Sequence, residues 1–172
     1  MTSTSRALIA FAAAVAGSVL LGAVAGLIWG AVAPRVQLQV YAAGSAFQVN
    51  AESSGYIAAD AWYCVITAVG GLVTGLAGYW LLVRREGWPA ALGLVGGAVA
   101  AGFTAIWIGG LIGLGTFNHQ LATDQVGTSF NNSLALGAKS AVVCWLLVTG
   151  AVIGIAQSGS HGAAEVPNKL VQ

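Results

Sequence analysis

The chain has 172 residues, of which 58% are hydrophobic and only 6% are charged, and its formal net charge is +1. Soluble domains carry about 25% charged residues, so this composition is too poor in charge for a surface that faces water and indicates a protein of the lipid bilayer. The small net charge and the lack of a basic stripe argue against nucleic acid as a partner. Two cysteines are too few for a disulfide framework or a metal cluster.

The first predicted element is a helix at about 7–33, a run of 27 residues without a charge. A helix rises about 1.5 Å per residue and a bilayer core is about 30 Å thick, so this run can span the core. Arg6 and the segment Ala31–Ala33 give it some features of a signal peptide. Its apolar run exceeds the roughly 7–15 residues of a signal sequence, so we expect a retained first span. Small residues at four-residue steps, a spacing that lets a second helix approach closely, are Ala14, Ser18, Gly22, Gly26 and Gly30.

The loop after Pro34 carries a strand pattern. Residues 35–41 alternate between apolar and polar side chains, residues 43–45 can turn, and residues 46–49 alternate again. This pattern predicts a small β-hairpin at about 35–50, on the membrane surface. An isolated hairpin is marginally stable in water, so it should lean on helix ends or on a partner protein.

Three further apolar stretches predict helices at about 57–83, 89–116 and 133–157. Aromatic residues typical of membrane interfaces are Trp62, Tyr63, Tyr79 and Trp80. Further small residues at helix-packing spacing are Gly93, Gly97, Ala101, Ala105, Gly109 and Gly113, with Gly150 and Gly154 in the last helix. The predicted fold class is all-α integral membrane: a four-transmembrane-helix bundle over residues 1–157 with a small extracytoplasmic β-hairpin in the first loop.

Lysine and arginine predict the orientation, because cytoplasmic loops carry an excess of both. Arg35 alone lies clearly on one side of the predicted bundle. The cations on the other side are Arg6, Arg84, Arg85 and Lys169. We therefore expect a multi-pass protein of a bacterial cell (inner) membrane with both termini in the cytoplasm. The hairpin and the polar loop 117–132 then face outward, and residues 158–172 form a cytoplasmic tail.

Two charged residues fall near the outer ends of predicted spans: Asp60 in the first turn of the second helix and Lys139 about two turns inside the fourth. A charge at bilayer depth costs about 3 kcal/mol, so each needs a reason. Three interpretations stay open. Each side chain reaches separately to the interface, the two form a structural ion pair, or they belong to a path for protons or substrate.

Other reactive residues are few. Cys64 and Cys144 fall at matching depths, so a disulfide is conceivable, although small apolar thiols are the commoner use within a membrane. His119 and His161 fall on opposite sides and cannot share a metal. Nucleophile–base and paired-carboxylate arrangements cannot be assembled from the sequence. We expect no enzyme activity, no cofactor and no metal.

Short motifs follow one another along most of the chain: Leu27–Trp29, Ala33–Val36, Ala58–Trp62, Trp80 with Arg84–Arg85, and Leu134–Ala138 before Trp145. Their order resembles that of small four-span membrane proteins from actinobacteria, a family of unknown function without known catalytic residues. Some mycobacterial proteins of this kind accompany the permease of Mce-type lipid-import ABC transporters. The resemblance implies an accessory role beside such a permease.

The function expected from these features is that of a non-enzymatic accessory or stabilising subunit of a larger membrane complex. ABC permease subunits are the favoured partners, and a respiratory or cell-envelope assembly is an alternative. A small oligomeric transporter or channel that uses Asp60 and Lys139 is a rival of another class. A membrane enzyme ranks lowest, since clustered acids, histidines or arginines at an interface are missing.

Overall fold

The computed structural model describes residues 3–42, 44–50 and 54–162. In chain order, its principal helices and strands are α1 Ser3–Val32, β1 Gln37–Ala42, β2 Ser45–Gln48, α2 Gly55–Gly78, α3 Trp88–Leu111, α4 Leu114–Thr123, β3 Ser129–Asn131 and α5 Val143–Gly162. Helix α2 continues through a π-helical turn at Tyr79–Val83 and a last α-turn at Arg84–Glu86. A 3₁₀ turn at Lys139–Val142 precedes α5.

Four helical stretches of the described chain are long and apolar enough to cross a membrane, which confirms the four predicted apolar helices. They are Thr4–Val32, Gly55–Glu86, Trp88–Thr123 and Lys139–Ser158. The shortest has 20 residues, about 30 Å of helix, which equals the thickness of a bilayer core. Their outward faces expose large apolar side chains such as Leu20, Trp107 and Ile155. Contiguous exposure of this kind is unusual for a surface in water.

Glycine permits the sharp links at both ends of α3. Gly87, between α2 and α3, has a φ of 73°, and Gly113, between α3 and α4, has a φ of 83°. Both values lie in the left-handed region that glycine adopts without a steric penalty. Pro89 stands in the first turn of α3, where its missing N–H is not needed. The third helix therefore ends at Leu111, before the predicted 116, and a separate helix, α4, follows.

Helices α1 and α3 pack along the two predicted rows of small residues. A Cβ added at Gly22 would lie 2.5 Å from the carbonyl oxygen of Ala101, and one at Gly26 would lie 2.6 Å from that of Ala105. Ala14 and Ser18 are buried. A Cβ added at any other glycine of the two rows would also lie too close to a residue across the contact. The pairs are Gly30 with Ile112, Gly93 with Phe11, Gly97 with Ser18, Gly109 with Trp29, and Gly113 with Arg35 in the loop after α1. We call the contact between α1 and α3 along these two rows the small-residue seam.

Gly150 and Gly154 are arranged differently. A Cβ added at either position would meet nothing within 4 Å. Both glycines lie on the exposed side of α5, beside the exposed Leu147 and Ile155. The small-residue spacing of α5 is therefore not used in packing between the described residues.

A second helix pair, α2 and α5, meets through polar groups as well as apolar ones. The Trp145 indole N–H donates to the hydroxyl oxygen of Thr74 at 3.2 Å. The Thr149 hydroxyl donates to the carbonyl oxygen of Gly71 at 3.1 Å. Trp145 and Thr149 are fully buried. We call the contact made by Gly71, Thr74, Trp145 and Thr149 the polar seam.

An aromatic pair ties α1, α2 and α3 together. The rings of Trp29 and Tyr63 meet edge to face, with centroids 5.3 Å apart. The Trp29 indole donates to the carbonyl of Ala59 at 2.8 Å, and the Tyr63 hydroxyl donates to the carbonyl of Gly102 at 2.8 Å. Both side chains are 0% exposed. The expectation that Tyr63 marks a membrane interface is therefore wrong, because its hydroxyl finds a backbone partner inside the bundle.

The predicted hairpin is present, and it belongs to a three-stranded antiparallel sheet in the order β2-β1-β3 within the described residues. Leu38 pairs with Gln48 of β2 and with Phe130 of β3. Leu38, Val40 and Phe130 form one small buried cluster on one face of the sheet. The third strand lies in the predicted loop 117–132. It has only three residues, which is too short for an alternating pattern to be recognised in the sequence.

Other helix bounds also differ from the prediction. Helix α1 begins at Ser3, and helical structure of the last span begins at Lys139, after an irregular segment at 133–138. The backbone N–H groups of Gly137 and Ala138 in this segment donate to the carboxylate of Asp60 and do not take part in helical hydrogen bonds. Helix α5 continues to Gly162, through the first part of the predicted tail. Residues 163–172, including Lys169, lie outside the described residues.

Candidate functional site

Asp60 fixes the segment before the last span. Its Oδ1 accepts a hydrogen bond from the backbone N–H of Gly137 at 3.0 Å, and its Oδ2 accepts one from Ala138 at 2.7 Å. Because α2 begins at Gly55, Asp60 lies in its second turn and not in the first. A carboxylate that accepts two N–H groups forms strong, charge-assisted hydrogen bonds. Asp60 therefore anchors the chain immediately before Lys139.

Lys139 is exposed and is the first residue of the 3₁₀ turn, not a residue two turns inside a helix. No ion pair joins Asp60 and Lys139 in the part of the chain that the structure describes. The two residues are connected through the backbone instead, since the carboxylate of Asp60 holds Gly137 and Ala138. Lys139 lies at the end of the apolar stretch, where an ammonium group can stay in contact with water.

A groove of about 740 Å³ opens next to Lys139. One wall comes from Val99, Phe103 and Ile106 of α3. The opposite wall comes from the start of the last span, with Val142, Val143 and Leu146, and the segment Leu134–Leu136 forms a third side. Gly110 and Lys139 lie at one end of the groove. The volume is within the range of about 300–1,000 Å³ that is usual for ligand sites.

The groove offers apolar contact and one positive charge. Among its lining residues, all of them described, Lys139 is the single ionisable group. This lining provides neither a carboxylate nor an imidazole nor a thiol for acid–base or nucleophilic chemistry. The described residues also hold no group of three or more His, Cys, Asp or Glu suited to a metal ion. The lining therefore matches an amphipathic molecule in its chemistry.

A second, polar cleft of about 470 Å³ lies beside Arg35 at the sheet end. The guanidinium donates through Nη2 to the carbonyl oxygens of Gly30 and Ile112, at 3.1 and 3.2 Å. These carbonyls belong to the C-terminal ends of α1 and α3, where backbone oxygens lack helical partners and favour a cation. The sequence suggested Arg35 only as an orientation marker. Its position just after a helix end and a proline was the available signal for this capping role.

Cys64 and Cys144 lie side by side. The thiol of Cys144 donates to Sγ of Cys64 with the two sulfur atoms 3.3 Å apart, and both cysteines are free. They connect α2 to the first turn of α5. His119 lies on α4 near the sheet, whereas residue 161 lies at the opposite end of α5, so the two histidines are far apart.

In comparisons with known proteins, no family model matches this sequence, and no curated protein or solved structure matches it either.

Proposed function

We propose that this protein spans a bacterial cell membrane four times and acts as a non-enzymatic accessory or stabilising subunit of a larger membrane complex. The length and apolar surface of the four helices support the membrane-spanning part. The subunit role is supported by one observation above all: an exposed apolar surface on the sheet, outside the helical bundle.

That surface is formed by Tyr41, Phe47 and Val49. Tyr41 is 57% exposed and Phe47 49% exposed, and their ring centroids are 5.9 Å apart. Phe47 pairs with Gln39, so Tyr41 and Phe47 share the sheet face opposite to the buried Leu38. Phe47 also lies in β2, an edge strand of the sheet. Exposed aromatic side chains beside an open strand edge are typical of a surface that another protein covers.

The orientation is supported by the positions of the cations. The first turn of α1 lies against Trp88 and Pro89, so Arg6 is at the same end of the bundle as Arg84 and Arg85. Arg35 lies at the other end, with the sheet. Since positive charge favours the cytoplasmic side, both termini are cytoplasmic and the sheet faces outward.

The sequence resemblance favours the permease of a Mce-type lipid-import ABC transporter as the partner, with a respiratory or cell-envelope assembly as the alternative. A transporter or channel that works through Asp60 and Lys139 gains no support, because the carboxylate of Asp60 is engaged by backbone N–H groups. The free glycine face of α5, at Gly150 and Gly154, offers the same partner a place for close contact within the membrane.

The experiment is purification of the tagged protein in mild detergent from its native membrane, followed by identification of the proteins that remain in stoichiometric amounts. The variant Tyr41→Ser/Phe47→Ser removes the sheet surface. The control is Val126→Ser, since Val126 is 68% exposed at the same end of the molecule. We expect a membrane-protein partner with the wild type and with Val126→Ser, and loss of about nine-tenths of it with the double variant.

A wild-type protein that purifies alone, or as a homo-oligomer that moves ions in liposomes, would contradict the proposal. Equal recovery of the partner with the double variant would contradict the assignment of the sheet surface. A thermal melt of each variant in detergent shows that it remains folded.

A further inference from the structure

We propose that the groove beside Lys139 binds one acyl chain of an anionic phospholipid, with the phosphate of the headgroup at the Lys139 ammonium. The inference depends on the membrane-spanning arrangement but not on the partner complex. It rests on the length of the groove, on its lining, and on the charge at its end.

The length of the groove matches one leaflet. Its α3 wall extends from Val99 to Gly110, which is about 16 Å of helix. Half of a hydrocarbon core about 30 Å thick is about 15 Å. An acyl chain that enters at the Lys139 end therefore fits along the groove to about the middle of the bilayer.

The lining suits a hydrocarbon chain that arrives from the side. Phe103 and Val143 are both exposed and lie at the edges of the groove, so the groove is open along the outer surface of the bundle. The walls between them are formed largely by branched aliphatic side chains. A soluble anion such as inorganic phosphate would find a partner only at Lys139 and would leave these walls empty.

The charge at the end of the groove selects the headgroup. Lys139 has no salt-bridge partner among the described residues, and the nearby carboxylate of Asp60 is already bound by Gly137 and Ala138. The ammonium group therefore keeps its three donors for a ligand. A charge-assisted hydrogen bond from this ammonium group to a headgroup phosphate therefore favours a lipid with net negative charge.

The test uses the full chain in phosphatidylcholine nanodiscs that contain a small fraction of a lipid with a photoreactive diazirine in its acyl chain. The probe is either phosphatidylglycerol or phosphatidylcholine with the same chains. After irradiation, mass spectrometry measures labelling of the groove, around Phe103 and Val143, and of the exposed surface of α1 around Leu20. We expect phosphatidylglycerol to label the groove about fivefold more than phosphatidylcholine does, and both probes to label α1 equally.

Two variants and a control test the assignment. Lys139→Gln should remove the preference for phosphatidylglycerol in the groove, and Lys139→Arg should keep it. Arg85→Gln removes an exposed cation at the opposite end of the bundle and should also keep it. Gly110→Leu puts a side chain into the groove and should lower labelling by both probes there. A phosphatidylglycerol preference that survives Lys139→Gln would overturn the proposal.

Three other outcomes would also overturn it. One is equal labelling of the groove by the two lipids in the wild type. Another is groove labelling weaker than that of α1, as a protein occupant would cause. The third is that soluble glycerol phosphate, added before irradiation, inhibits groove labelling at the same concentration as unlabelled phosphatidylglycerol does, which would show that the acyl chain adds nothing to binding. Because the isolated chain is used, these results do not depend on recovery of a partner complex.

Discussion

The small-residue seam between α1 and α3 and the polar seam between α2 and α5 both bring glycines close to the facing helix, and they differ in their hydrogen bonds. At the first, glycine removes side-chain volume until a Cβ at Gly22 would overlap the backbone of Ala101. At the second, Trp145 and Thr149 donate hydrogen bonds across the contact. A Cβ at Gly71 would also lie 2.7 Å from the carbonyl oxygen of Trp145. The second seam therefore adds directional hydrogen bonds to a close glycine contact of the same kind. The two seams should respond differently to substitution.

The largest effect is expected at the small-residue seam. Gly22→Ala should reduce the free energy of unfolding by about 2–3 kcal/mol, because the added methyl group forces the two backbones apart. Gly17→Ala is the matched control in the same helix, since a Cβ there meets nothing within 4 Å. Unfolding of both variants in mixed detergent and SDS measures the difference. Equal stabilities would show that α1 and α3 are not in backbone contact.

An intermediate effect is expected near the start of α2, where Asp60 binds the segment before Lys139. Asp60→Asn should cost about 1.5–2 kcal/mol, because a carboxamide has one acceptor oxygen for two N–H groups and carries no charge. Hydrogen exchange at Gly137 and Ala138 should become faster. Asp124→Asn serves as the control and should stay within about 0.5 kcal/mol. Unchanged exchange at both amides would contradict the contact.

The smallest effect is expected within the polar seam itself. Thr149→Val preserves the shape of the side chain but removes the hydrogen bond to Gly71, and such bonds between membrane helices are worth about 0.6 kcal/mol on average. Thr104→Val is the comparison, because its hydroxyl donates to Ala100 within its own helix. The same unfolding assay applies. A loss above about 2 kcal/mol would mean that the polar seam depends on hydrogen bonding more than on packing.

Local patterns were enough to predict the four long helices and the first two strands. An apolar run of helical length and a run of alternating residues are both visible without knowledge of the rest of the chain. The irregular segment 133–138 was not predictable in this way. Its leucines and alanines suit a helix, and the residue that binds it, Asp60, is 77 positions away from Gly137.

The groove could not be predicted from the sequence either. Lys139 was noticeable because it is a charge beside an apolar stretch, but the facing wall, with Phe103 and Ile106, comes from α3, more than 30 residues earlier in the chain. The burial of Tyr63 depends in the same way on Trp29 and Gly102. Residue types indicated which side chains were unusual, and only the packing of distant segments decided what each one does.

The pairing of β1 with both β2 and β3 has a consequence for biosynthesis. Residues 129–131 leave the ribosome only after α2 and α3 have been made. Until then, the hairpin of β1 and β2 lacks its third strand, and one edge of β1 is unpaired. A hairpin alone is marginally stable, and an open strand edge invites wrong pairing. Nascent or truncated chains that stop before Ser129 should therefore be the ones most dependent on chaperones and most exposed to quality-control proteases.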